Sequence, residues 1–82
     1  MHLVELTDTI IKKIVIDPES VSVKEFVSED EDTVLIEVMI PNSEMPKVIG
    51  KNGNVINAIR TIVQASAHLD GNKKVNINIS AY

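Results

Sequence analysis

The sequence predicts an α+β fold: a three-stranded mixed sheet with helices on one face, in the order αββααβ, spanning residues 1–82 as a single domain. Three observations support this. Apolar residues recur every three or four positions in two long segments, near 3–15 and 55–67. Three shorter segments, near 21–27, 33–40 and 73–80, are rich in β-branched residues or alternate apolar with polar. Between the last two of these lie residues 41–72, long enough for helices to cross over and bring the chain back parallel.

In the first helix, Leu3, Leu6, Ile10, Ile11, Ile14 and Val15 form one apolar stripe. Asp17-Pro18 ends it, because a proline ring disfavours helical geometry in the residue before it. Val21, Val23 and Val27 then share one face of a strand interrupted by Glu25, with Phe26 on the other face as the one aromatic inside the fold. Glu29-Asp30-Glu31-Asp32 makes a solvated hairpin tip, where four like charges can stand apart in water. From Thr33 to Ile40, Val34, Ile36, Val38 and Ile40 face one way and Leu35, Glu37 and Met39 the other, which predicts the central strand. Pro41-Asn42 closes it. Ser43 is expected to cap a short helix whose first turn holds Glu44, Met45 and Pro46, and Gly50 to end that helix. After Gly53 another helix is expected to run to about His68, burying Val55, Ile56, Ile59, Ile62, Val63 and Ser66 or Ala67. Leu69 to Asn72 forms a turn, and in the last strand Val75, Ile77 and Ile79 point inward while Lys74, Asn76, Asn78 and Ser80 point outward. The expected strand order is 1-2-3, with the face away from the helices open to a partner.

A chain of 82 residues supports one core and buries only about 60% of its unfolded surface, so self-association is expected to add stability. With no cysteine, disulfides, thiolate metal sites and cysteine nucleophiles are excluded. His2 and His68 have no carboxylate at ligand spacing. No apolar run approaches the roughly 20 residues that span a bilayer, and the N-terminus lacks a basic segment followed by an apolar one, so a cytoplasmic protein is expected. Without a nucleophile–base pair, a metal-ligand cluster or a nucleotide-hydrolysis motif, neither an enzyme nor a cofactor is expected.

Charge divides the chain. Up to Met45, three basic residues oppose eleven acidic ones, a balance of −8; from Pro46 onward, five oppose Asp70 alone, giving +4 and recovering the net −4. Within the basic half lies Val48-Ile49-Gly50-Lys51-Asn52-Gly53-Asn54-Val55-Ile56. Two glycines three apart between two helices allow a tight turn and the close approach of another backbone. The start of the second helix presents unpaired N–H groups that attract anions, and Lys51 adds positive charge beside them.

The run Lys47-Val48-Ile49-Gly50-Lys51-Asn52-Gly53, with Ala58-Ile59-Arg60 and Ala65 after it in an αββααβ order, closely resembles a type II KH domain. The chain as a whole resembles the KhpA family of small bacterial RNA-binding proteins. The resemblance implies that Gly50, Lys51, Asn52 and Gly53 form a GxxG loop clamping the backbone of roughly four nucleotides of single-stranded RNA. It implies that Ile49 and Ile56 line an adjacent apolar groove floored by Ile36 or Val38, and that Lys47 and Asn54 flank the loop. Arg60 would meet a phosphate or an acidic neighbour. Lys73 and Lys74, in the turn taken as the variable loop, would flank the groove. Family members often carry glycine in place of Pro46 and a basic residue in place of Asn54, so binding is expected to be weaker and less salt-dependent than in a more basic relative. The resemblance further implies a homodimer, a KhpB-like (Jag-like) partner, RNA chaperone activity in post-transcriptional regulation, and a link to cell elongation and cell shape. The contrasting expectation, favoured by the acidic N-terminal half, is a protein-interaction domain with little RNA binding of its own.

Overall fold

The computed structural model describes residues 3–26 and 28–82, so the expectations for His2 and Val27 lie outside the described residues. Helix α1 spans Leu3–Ile14 and buries Leu3, Thr7 and Ile11. Thr7 is absent from the expected apolar stripe. Its hydroxyl donates to the Leu3 carbonyl at 2.8 Å, so a polar group can be buried without loss of a hydrogen bond. A 3-10 turn at Pro18–Ser20 follows, with the Asp17 side chain accepting the Glu19 N–H.

Strands β1 (Ser22–Phe26), β2 (Thr33–Ile40) and β3 (Lys74–Ala81) form one sheet in the order β1-β2-β3. β1 pairs antiparallel with β2, setting Phe26 opposite Leu35 and Ser22 opposite Met39. β3 pairs parallel with β2, from Thr33 beside Lys74 to Ile40 beside Ala81. Val34, Ile36, Val38 and Ile40 enter the core beneath the helices. On the opposite face Leu35 and Glu37 are half-buried and Met39 is exposed, so β2 is central through its two neighbours rather than through burial on both sides. Phe26, 52% exposed, stands on this open face and is not inside the fold.

A 3-10 turn at Asn42–Glu44 leads into helix α2, Met45–Ile49. Ser43 does not cap it. Ser43 lies within the 3-10 turn, Glu44 occupies the cap position without a side-chain cap bond, and Pro46 sits in the first turn, where a missing N–H is harmless. Val48 carries α2 into the core. Helix α3, Asn54–Leu69, buries Ile56, Ile59, Val63 and Ala67. Ile62, expected inside, is 51% exposed. It falls instead on a second stripe with Ala58, Ala65 and Leu69, all exposed and spaced four, three and four apart.

Candidate nucleic-acid interface

Gly50 closes α2, its N–H donating to the Pro46 carbonyl at 2.9 Å. Its backbone lies at φ 75°, ψ 179°, a region essentially reserved for glycine. A Cβ there would stand 2.8 Å from the Val55 Cβ and 2.9 Å from the Val55 nitrogen, so no side chain fits. Lys51–Gly53 forms a single 3-10 turn in which Asn52 adopts the left-handed conformation, φ 56°, ψ 25°. Asparagine tolerates that region better than most residues. Gly53 is left-handed too, at φ 77°, but a Cβ would meet nothing closer than the Asn57 amide at 3.6 Å. Sterics thus fix Gly50, while conformation alone selects Gly53.

Two short helical starts therefore follow each other at residues 51 and 54, and neither receives a side-chain cap hydrogen bond. Lys51, Asn52 and Asn54 are exposed around them. The result is a positively charged turn in which the Gly53 N–H donates to the Gly50 carbonyl at 3.3 Å and the Asn54 N–H to the Lys51 carbonyl, and in which no side chain covers either helical start.

The remaining candidates divide. Ile49 is half-buried beside the loop and packs on the core, whereas Ile56 is buried within it. Ile36 and Val38 are also core residues, because they point from β2 toward the helices, so neither floors an open groove. Lys47 on α2 lies 3.8 Å from the carboxylate of Glu44, the cap residue three positions earlier. Arg60 meets no acidic neighbour among the described residues: Nη2 donates to the Ile77 carbonyl at 3.1 Å and Nη1 to Asn57 Oδ1 at 3.4 Å. Lys73 and Lys74 lie beyond the far end of the 16-residue α3, about 24 Å along the helix from the glycine loop. There the Lys74 N–H donates to the Asp32 carbonyl at 2.8 Å, and Lys73 lines a depression with Glu25, Asp30 and Glu31.

Gln64 escaped sequence reasoning. Its Nε2 donates to the Lys73 carbonyl at 2.8 Å and its Oε1 accepts the Val75 N–H at 3.0 Å, tying α3 to the outer edge of β3. With Arg60 it borders a shallow depression of about 470 Å³ that Thr61, Ala65, His68 and Val75 complete. The polar spacing 57, 60, 64, 68 along one side of the helix is the signal that marks this row.

The profile of the family described as "KhpA/KhpB, KH domain" matches residues 4–79. The RNA-binding protein KhpA of Clostridium perfringens is 41% identical over 75 residues, covering 92% of this chain and 96% of that protein. The RNA-binding protein KhpA of Aquifex aeolicus is 40% identical over 73 residues, covering 89% and 86%. Among solved structures, Era in complex with MgGDPNP and nucleotides 1506-1542 of 16S ribosomal RNA is similar with a TM-score of 0.67 and 17% identity. That likeness covers 96% of this chain and 29% of the Era chain, and at such identity it speaks for the fold alone. By fold the protein is a type II KH domain, and by sequence the chain belongs to the KhpA/KhpB family of KH domains.

Proposed function

We propose that this protein is a non-catalytic binder of single-stranded RNA that holds the sugar-phosphate chain at Gly50–Gly53. The observation that carries this reading is the pair of uncapped helical starts at residues 51 and 54, opened by a glycine that admits no side chain and flanked by the exposed Lys51. Backbone N–H groups in that arrangement recognise phosphate without reading a base, and the shallow trough between α3 and β3 offers the next surface a strand would meet. The names of the relatives, RNA-binding proteins of similar length, support the choice of RNA.

One such site contacts few nucleotides and binds weakly, so useful affinity calls for a second site. The exposed stripe Ala58, Ile62, Ala65 and Leu69 suits a homodimer, since two such stripes face to face exclude water without burying a charge. The family reading extends to a KhpB-like partner, a cytoplasmic location, and chaperone-like work in post-transcriptional regulation bearing on cell elongation.

The test is a titration with a short fluorescent single-stranded RNA at two salt concentrations, wild type beside the Lys51→Asp, Asn52→Asp double variant. Both positions are exposed and aspartate tolerates the left-handed backbone at 52, so the variant should fold. Salt-sensitive binding by the wild type and at least a tenfold loss in the variant are expected; equal binding by both would refute the assignment of the loop. Ile62→Glu should convert a dimer into a monomer by light scattering while leaving the loop intact.

A further inference from the structure

Glu44 is the one charged side chain that is buried among the described residues, at 4% exposure. It stands at the cap position of α2, yet its carboxylate makes no cap hydrogen bond to that helix. Oε2 accepts the backbone N–H groups of Ile16 and Asp17, both at 2.9 Å, just past the end of α1 and 28 and 27 residues away in sequence. Oε1 lies 3.8 Å from the Lys47 ammonium, which remains substantially exposed.

α2 has only five residues, far too few to be stable as a helix alone. Its position must come from tertiary contacts, and those contacts place Gly50, its C-terminal cap. Val48 supplies a buried apolar anchor and Met45 and Ile49 pack beside it, but apolar contacts are non-directional. A carboxylate receiving two directed hydrogen bonds from a distant segment adds directionality to that packing. The same group offsets the charge of one of the two lysines nearest the loop.

We propose that Glu44 is a positioning residue of the nucleic-acid site. It fastens the helix that leads into the glycine loop to the end of α1, and it keeps Lys47 as its own counter-ion, so that Lys51 is the lysine answering phosphate. This inference rests on the RNA-binding reading for its functional half and on geometry alone for its structural half.

Two substitutions separate the two tasks of the carboxylate. Glu44→Gln keeps an oxygen that can accept the Ile16 and Asp17 N–H groups but releases Lys47; Glu44→Ala removes both. In the RNA titration at two salt concentrations, Glu44→Gln should bind at least as tightly as wild type, with a steeper salt dependence approaching one additional phosphate contact. Glu44→Ala should bind about tenfold more weakly. Amide hydrogen exchange, measured without RNA, should show faster exchange for Glu44→Ala over residues 45–53 while Ile59 and Val63 of α3 stay protected, and near wild-type exchange for Glu44→Gln. A carboxylate that merely supports the fold would weaken both variants together and raise exchange evenly across the core, which overturns the proposal. RNA binding by Glu44→Ala equal to wild type also overturns it. If Glu44→Ala does not fold, Glu44→Gln still decides through its affinity and salt slope. Should wild type itself bind no RNA, the RNA reading fails and the exchange pattern alone decides whether Glu44 orients α2.

Discussion

Two turns at opposite ends of the sheet are built on opposite principles. The acidic turn between β1 and β2 closes on itself: Ser28 Oγ accepts the Asp30 N–H at 3.1 Å, Asp30 Oδ1 accepts the Asp32 N–H at 3.0 Å, and the Asp30 carbonyl accepts the Thr33 N–H at 3.1 Å. Side chains there satisfy the backbone. The glycine loop between α2 and α3 obtains its shape from backbone conformations that side chains resist, and no side chain caps either helical start. One turn is closed by its own side chains; the other is closed by backbone alone, with the Gly53 N–H on the Gly50 carbonyl and the Asn54 N–H on the Lys51 carbonyl.

Substitutions that blur this difference should have graded effects. The largest belongs to Gly50→Ala, where a Cβ collides with Val55 in a backbone region closed to alanine; a loss of about 3 kcal/mol or more in urea-unfolding stability is expected. Gly53→Ala meets open space and bears only the conformational penalty, about 1 kcal/mol by the same measurement. If the two alanine variants proved equally stable, the distinction between steric and conformational glycines would collapse. Asp30→Ala removes a side-chain acceptor from an exposed turn and should lower stability by about 0.5 kcal/mol, without touching RNA affinity. Smallest of all, Glu29→Lys with Glu31→Lys should raise RNA affinity about twofold at low salt and not at all at high salt, since their turn adjoins Lys74 beyond the far end of α3 and salt screens charges separated by more than about 10 Å.

Most of the fold was legible in the sequence because period and turn chemistry agree with the packing. The alternation of Val34, Ile36, Val38 and Ile40 identified the buried face of β2, and the long crossover gave the parallel pairing of β3. The failures share a cause: an apolar residue does not say which partner it meets. Ile62 and Ile59 differ by less than one helical turn, yet one faces water and the other the core. Ile56 and Ile49 likewise flank the same loop but only Ile56 is buried. At the site, the Gly50-Lys51-Asn52-Gly53 spacing marked the loop, and the left-handed conformation at Asn52 and the Val55 contact behind Gly50 required coordinates. Lys73 and Lys74 lie close to this basic segment in the charge count but not in space, because α3 holds the two apart.

The bonds from Gln64 and Arg60 to β3 bear on how copies of this protein behave when crowded. An edge strand with bare backbone groups is a template on which further strands can grow, and small sheets are prone to it. Here the Lys73 carbonyl, the Val75 N–H and the Ile77 carbonyl are already taken by side chains of α3. The opposite edge is the five-residue β1, whose Lys24 and Glu25 discourage stacking of like on like. This end of the β3 edge is thereby less available for pairing with another strand, and the residues that occupy it are polar ones on the same helix that begins at the glycine loop.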